Sequence, residues 1–259
     1  MNKIILFIVL STLISCGKQS KESKDAADQQ ATKQDTTPAT PIDKYYPIPM
    51  DTKFASRLSK KESKSIFTRR RENQLGISNP VYQVYSYNDE SGEYFLLLTD
   101  HMKAVNEEKD TLYDNIYAVY VTKKNNQFKK RSTVQDEIDN DWETSIGFWN
   151  KYSELSDLDN DGLVDPILVY GTRGQNAYKD GRVKIMVYYR GKRMSIKHQN
   201  SEIEDGRLTK INKNFYGLPT QIQEAVKEKM RQMVTNKHAI FSAEWEKKMA
   251  NRAIRLEGK

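Results

Sequence analysis

Four aspartates alternate with other residues in one short stretch of this sequence, and their spacing is that of a metal-binding loop. The stretch reads Asp-Leu-Asp-Asn-Asp-Gly-Leu-Val-Asp, and its acidic residues are Asp157, Asp159, Asp161 and Asp165. They occupy positions 1, 3, 5 and 9 of a calcium-type loop, in which carboxylate oxygens surround the ion from one side of a tightly turning backbone. The pattern predicts a calcium site.

Two further residues fit the loop and one does not. Gly162 permits the positive φ of the sharp turn, and Leu163 offers its backbone carbonyl oxygen as a ligand. Leu168 stands where a helix-loop-helix site has a bidentate glutamate, and Pro166 with β-branched neighbours predicts a following strand. The site therefore needs water or an acidic residue from elsewhere. We expect weak affinity, about 10⁻⁴ to 10⁻³ M, and a structural rather than catalytic role.

The loop also has a simpler interpretation, an acidic turn that binds no metal. Repulsion among four carboxylates so close in the chain favours the metal. A second acidic cluster, residues 136–143, precedes the loop. We interpret it either as a solvated connection or as the donor of the missing carboxylate, through Asp141 or Glu143.

Residues for other chemistry are sparse. The histidines lack the short paired spacing of a zinc site and are His101, His198 and His238. No nucleophile elbow or phosphate-binding glycine motif is present in the sequence. Polar donors in a glycine-bearing loop and at a strand end form a candidate glycan-binding set, with a plain turn as the alternative; they are Arg173, Gln175, Asn176 and His198.

The start of the chain predicts a lipoprotein signal peptide. A basic start precedes an apolar run, residues 4–15, that is too short to span a bilayer. The run ends in Leu-Ile-Ser-Cys, a lipobox whose Cys16 is the only cysteine of the chain. We predict cleavage after Ser15, lipidation of Cys16 and membrane anchoring, with no disulfide in the mature protein.

Composition divides the rest of the chain. Residues 17–44 contain no aromatic residue and are rich in Lys, Gln, Asp and Thr, which predicts a disordered tether after the lipidated Cys16. Residues 45–259 are long enough for a single globular domain. The net charge of +7 comes from intermixed charges of both signs, which predicts a solvated surface, with attraction to anionic lipid or polysaccharide as the alternative. No block of basic residues indicates nucleic-acid binding.

The elements that must position these residues follow from periodicity. Apolar alternation predicts eight strands, over residues 81–87, 93–99, 115–122, 127–134, 144–149, 164–170, 182–189 and 194–198. Helical spacing after Pro219 predicts a helix with a stripe of apolar residues including Met230, and a second helix over 243–256. The predicted fold class is α+β, a mostly antiparallel β-sheet with two C-terminal helices packed on it.

Several stretches carry a resemblance to a known family; they are residues 157–172, 180–192, 196–200 and 215–219, followed by Ile240, Phe241 and Trp245. Over roughly residues 145–250 the chain resembles a family of small envelope lipoproteins associated with surface polysaccharide biosynthesis. The resemblance implies an accessory role in lipopolysaccharide or capsule assembly and supplies no catalytic residues.

These observations predict a membrane-anchored envelope lipoprotein with a structural calcium ion and no catalysis of its own. Its expected partners are the membrane, through the lipid, and polysaccharide or envelope assembly proteins, but not nucleic acid. Gly17, in place of an inner-membrane retention aspartate, favours the outer membrane, facing the periplasm. The alternative is an envelope glycan hydrolase or transferase using acidic residues near 136–143, which needs two carboxyl groups about 5–9.5 Å apart.

Overall fold

The computed structural model of the protein describes residues 39–138 and 141–258. The predicted signal peptide, the lipidation site Cys16 and the tether up to residue 38 lie outside the described residues, so these predictions stay predictions.

The first of two sheets is a meander in which each strand pairs antiparallel with the next. Its order is β1-β2-β3-β4-β5, and its strands are Ala55–Arg57 (β1), Val81–Asp89 (β2), Gly92–Val105 (β3), Thr111–Lys124 (β4) and Gln127–Glu137 (β5).

The second sheet has the order β12-β11-β10-β9-β8-β6 and is also antiparallel. Its strands are Glu143–Phe148 (β6), Glu154–Ser156 (β7), Asp165–Gly174 (β8), Arg182–Tyr189 (β9), Lys192–Gln199 (β10), Leu208–Ile211 (β11) and Arg255–Glu257 (β12). Strands β6 and β7 pair with different parts of the same edge of β8. A 3₁₀ turn at Asn150–Tyr152 separates them.

Four α-helices are present among the described residues: Lys60–Ile66 (α1), Arg69–Gln74 (α2), Thr220–Thr235 (α3) and Trp245–Ala250 (α4). Helix α1 begins at a capping box, in which the Ser59 side chain accepts from the Glu62 amide and the Glu62 carboxylate accepts from the Ser59 amide. The α1–α2 segment was not predicted, because its helices bury no residue of their own and show no apolar stripe.

Buried side chains form three clusters that define four layers. The central cluster lies between the sheets, and outer clusters join the first sheet to the α1–α2 segment and the second sheet to α3 and α4. The residues that meet between the sheets include Tyr85, Leu96 and Ile116 of the first and Phe148, Leu168 and Met186 of the second. The predicted α+β class with antiparallel strands and C-terminal helices is confirmed; the division into two sheets was not predicted.

Helix α3 confirms its predicted apolar stripe. Its inward side chains are fully buried against the second sheet and are Ile222, Val226, Met230 and Met233. Burial of one such side chain contributes roughly 1.5–3 kcal/mol, so this helix is held mainly by packing. The predicted second helix is wrong in extent, because α4 ends at Ala250 and Leu256 belongs to strand β12.

Residues 39–46, which we call the N-terminal strap, lie against the domain. The carbonyl oxygen of Thr40 lies 2.7 Å from Nε2 of His238. The amide of Ile42 donates to the Tyr178 hydroxyl at 2.9 Å. The predicted tether therefore ends earlier than residue 44, since polar contacts already fix the chain at Thr40.

Lys44 completes the attachment of the strap. Its carbonyl accepts from Asn150 Nδ2 at 2.7 Å, and its ammonium pairs with Asp100 of β3 at 2.6 Å. Burial disfavours the ammonium, but the hydrogen bond and charge of Asp100 outweigh it and raise the pKa of Lys44. Aromatic rings also surround the ammonium, from Tyr45, Tyr82 and Tyr113.

Candidate metal site

The aspartate-rich segment, residues 157–164, is the tip of a β-hairpin. Ser156 at the end of β7 pairs with Asp165 at the start of β8, so the segment must reverse direction within the tip. The reversal uses positive φ angles of 61° at Asn160 and 83° at Gly162. Glycine adopts such a φ without steric cost, which explains its place in the predicted pattern. We call residues 157–165 the aspartate loop.

The aspartate loop gathers three carboxylates. One oxygen each from Asp157, Asp159 and Asp165 lies within 4.8 Å of the others. These are the aspartates at positions 1, 3 and 9 of the predicted pattern. The group could hold a metal ion, because its oxygens lie close enough together to share one ion.

Backbone amides orient these carboxylates. The two oxygens of Asp157 accept from the amides of Asp161 and Gly162, at 3.1 and 2.9 Å. One oxygen of Asp165 accepts from the amide of Leu158 at 3.1 Å. Each carboxylate oxygen has a second lone pair, so these bonds fix the geometry and leave capacity for a cation.

Asp165 is the group that most favours a cation. Its residue is only 1% exposed. Burial and the charges of the neighbouring aspartates raise its pKa to about 7, against the opposing hydrogen bond from Leu158. A bound cation would remove this penalty by attracting the charged form.

Asp161 has a different partner from the one the sequence predicts. Its Oδ2 accepts from Nε and Nη2 of Arg190, at 3.0 and 2.8 Å, and its Oδ1 accepts from the Leu163 amide. The carboxylate group that converges does not include Asp161. Ligation by Asp161 and by the carbonyl of Leu163 stays a prediction.

The first sheet contributes two acidic residues that sequence reasoning missed. Asp89, at the β2–β3 turn, accepts from the Val164 amide at 3.0 Å. The carboxyl carbon of Glu90 lies 3.1 Å from where a β-carbon on Gly162 would be. No local signal links these residues to the aspartate loop, because 75 positions separate Asp89 from Val164.

The acidic cluster at 136–143 lies elsewhere and is matched by basic side chains. Glu143 is buried, and both of its oxygens accept from Arg182, at 2.6 and 2.7 Å. Asp136 pairs with Lys184 at 2.5 Å and with Arg182 at 3.5 Å. These are contacts of an ion-pair network, and a catalytic use of the cluster stays a prediction.

The same cluster does not complete the aspartate loop. Glu143 pairs with Gly174, at the opposite end of the ten-residue strand β8 from Asp165. That strand spans about 30 Å at roughly 3.3 Å per residue. Asp141 lies within about 7 Å of Glu143 along the chain. The interpretation that Asp141 or Glu143 donates the missing carboxylate is therefore wrong.

The candidate glycan-binding residues do not form one surface. His198 is buried, with Nδ1 2.8 Å from the Thr209 hydroxyl and Nε2 2.8 Å from Asn200 Oδ1, and burial lowers its pKa to about 4. Arg173 lines a surface cavity of about 390 Å³, and His198 is not part of that lining. Gln175 and Asn176 are exposed in the following turn. Glycan binding by the exposed residues stays a prediction.

Comparison with known proteins adds no relative to this description. No family model matches the chain, and neither a curated protein nor a solved structure resembles it at a significant level. Within residues 39–138 and 141–258, none of the helices has the length and apolar character needed to cross a bilayer.

Proposed function

We propose that this protein is a lipid-anchored envelope protein in which calcium binds the aspartate loop and stabilises the hairpin tip. In this proposal it acts as a non-catalytic accessory in the biosynthesis or assembly of surface polysaccharide. The convergence of Asp157, Asp159 and Asp165 is the observation that carries the metal part of the proposal. The lipobox at Cys16 and the family resemblance support the envelope part.

The chemistry of the group favours calcium over softer metals. Its donors are carboxylate oxygens, and no histidine or cysteine belongs to the group among the described residues. Calcium takes six to eight oxygens in flexible geometry, so three carboxylates can be completed by water and backbone carbonyls. A transition metal of the zinc type prefers nitrogen and sulfur donors.

A structural role follows from the position of the loop. The hairpin tip meets the β2–β3 turn of the first sheet through the bond between Asp89 and the Val164 amide. A cation that fixes the tip would also fix this contact between the two sheets. Calcium would then contribute to stability by binding the folded state alone.

The test is a calorimetric and thermal titration of the full-length chain with calcium in detergent micelles. At calcium about 100-fold above Kd, binding adds about 2.7 kcal/mol, which raises the melting temperature of a domain of this size by about 5–10 °C. The double variant Asp157→Asn, Asp159→Asn should lose this rise. The matched control is Glu107→Gln, Glu108→Gln, which also removes two charges, from an exposed turn.

Each result has a clear meaning. A rise that the control retains and the double variant loses supports the calcium site. If calcium at about 10 mM neither binds nor raises the melting temperature, the loop is an acidic turn and the metal part of the proposal fails. An Asp161→Asn variant that behaves like the control would show that this residue serves Arg190 rather than the ion.

A further inference from the structure

A cleft of about 250 Å³ opens between the two sheets, beside the aspartate loop. Leu163 and Val164 of the loop are among the residues that line it. Its volume equals that of roughly eight water molecules at about 30 Å³ each, which suits one monosaccharide-sized ligand. The site is separate from the converging carboxylates, although the pair between Asp161 and Arg190 connects the two.

Tyrosine rings form the wall of the cleft. Tyr87 and Tyr94 stack with their ring centroids 5.0 Å apart and their planes within 14°. Tyr120 and Tyr188 approach each other from the two sheets at 4.5 Å between centroids. Flat aromatic faces with hydroxyl groups at their edges suit a ligand that has both an apolar face and polar substituents.

Two tyrosine hydroxyls in this wall, those of Tyr120 and Tyr188, have no hydrogen-bond partner within the described residues. Tyr120 is 5% exposed, and its Oη makes no hydrogen bond within the described residues. Burial raises the pKa of Tyr120, so the hydroxyl keeps its proton and remains a donor. Buried hydroxyls in folded proteins nearly always bond to protein, water or ligand, so the Tyr120 hydroxyl is left able to donate to an occupant of the cleft.

Three arginines line the cleft, and they are Arg131, Arg190 and Arg193. Arg190 is matched by Asp161, whereas Arg131 and Arg193 form no ion pair with any described residue. Arg193 donates from one Nη to the carbonyl oxygen of Thr133 at 2.9 Å, a bond that leaves its charge unmatched. Arg131 stands in a β-bulge, since Tyr120 pairs with Ser132 while Val121 pairs with Lys130. Bulges redirect side chains next to binding sites, and this one adds a guanidinium to the rim.

Asp89 also lines the cleft, but among the described residues it forms no ion pair with Arg131 or Arg193. Asp89 is occupied by hydrogen bonds from the amide and hydroxyl of Ser91 and from the Val164 amide. Arg131 and Arg193 are therefore the groups left to attract a ligand. A guanidinium binds a carboxylate or a phosphate through two parallel hydrogen bonds, so the ligand should carry such an anion.

We propose that this cleft binds a single anionic sugar residue, a pyranose ring bearing one carboxylate or phosphate. The ring packs on Tyr87 and Tyr94, the Tyr120 hydroxyl donates to a ring substituent, and Arg131 and Arg193 hold the anion. This inference deepens the proposed function by naming a class of glycan, and it rests on the polysaccharide role rather than on calcium.

The probes are glucuronic acid, glucose 6-phosphate and glucose, titrated against the full-length chain by ligand-observed NMR in a detergent that contains no sugar or phosphate. We expect at least one anionic sugar to bind and glucose to bind at least tenfold more weakly, because glucose lacks the charge-assisted bonds. Whichever of the two anionic sugars binds more tightly identifies the anion.

Two variants test the assignment. Tyr120→Phe should weaken binding of the anionic sugar about fivefold, and Arg131→Ala tenfold or more. The matched controls, Tyr46→Phe and Arg70→Ala, remove the same groups at exposed positions outside the cleft and should not change binding. Because the Tyr120 hydroxyl has no partner, Tyr120→Phe should keep the wild-type melting temperature, whereas loss of a structural hydrogen bond would lower it.

The outcomes separate this inference from the calcium site. Absence of binding by both anionic sugars, or binding that Tyr120→Phe and Arg131→Ala leave unchanged, overturns the inference. Repeating the titration in Asp157→Asn, Asp159→Asn tests independence from the metal. If the protein binds sugar but not calcium, the sugar-binding inference stands and the calcium site fails. If it binds calcium but not sugar, only the sugar-binding inference fails.

Discussion

The two ends of strand β8 both carry acidic side chains, but they differ in what balances them. At the Gly174 end, the carboxylate of Glu143 is held by both arms of the Arg182 guanidinium. At the Asp165 end, backbone amides hold the converging carboxylates, and the nearby Arg190 pairs with Asp161 outside the group. One end has internal counter-ions, and the other end leaves its charge for a cation.

This difference explains why two acidic clusters that look alike in the sequence have different surroundings in the fold. A buried carboxylate is stable when it has a basic partner in the fold, and it otherwise requires a pKa shift or a bound ion. The second condition fits Asp165, because burial and the neighbouring aspartates raise its pKa to about 7. The placement of arginines, rather than the density of aspartates, separates an ion-pair network from a group of carboxylates that could hold a metal ion.

The largest expected loss of stability comes from removing Arg182, the counter-ion of Glu143 at the Gly174 end of β8. Arg182→Met leaves Glu143 buried without its main partner, so we expect the free energy of unfolding to fall by about 3–5 kcal/mol. Urea denaturation at neutral pH measures this fall. Arg190→Met is the control, because its pair with Asp161 is exposed and should matter little. Equal losses in both variants would contradict the comparison.

Acid should lower the free energy of unfolding of the domain through His198, which lies in strand β10 of the second sheet. Burial lowers the pKa of this imidazole to about 4, so the unfolded chain binds the proton more tightly than the folded protein does below pH 6.5. Stability is present above about pH 6.5 and is lost as the pH falls toward 4, by about 3 kcal/mol.

Denaturant titrations at a series of pH values measure this loss. The variant His198→Gln should show a smaller slope between pH 6.5 and 4, whatever its stability at neutral pH. An unchanged slope would mean that groups other than His198 control acid unfolding.

The smallest expected change in the free energy of unfolding comes from Asp165→Asn, and it depends on whether calcium is present. Asp165→Asn removes a buried charge that repels its neighbours, so the metal-free protein at pH 8 should gain about 1 kcal/mol, or roughly 2–4 °C in melting temperature. The same change removes a carboxylate from the group, so stabilisation by calcium should shrink. Thermal unfolding with calcium and with chelator measures both effects, and a loss of stability in chelator would break the comparison.

Most of the sheet structure could be predicted from local alternation, but the shortest strands could not. Strands β1, β7 and β12 have three residues each, which is too few to establish a period. Leu256 fits the helical spacing of its neighbours, yet α4 stops at Ala250 and Arg252 takes a positive φ of 57°. The strand at Leu256 forms because Thr209 provides a partner far along the chain.

The site was predictable to the extent that it is local. Spacing identified Asp157, Asp159 and Asp165, since all three belong to one hairpin tip. The partner of Asp161 could not be predicted, because Arg190 lies 29 residues away in another turn. Contacts across the two sheets depend on register, which a local pattern does not encode.

The N-terminal strap decides how the folded domain carries mechanical load. A pull on the chain ahead of Thr40 reaches β3 through the bond between Lys44 and Asp100, and reaches the second-sheet side through Tyr178 and Asn150. Because these attachments lie within a few residues of one another, they share the force between both sheets. The two sheets should therefore stay together and move as one body when the chain ahead of Thr40 is pulled.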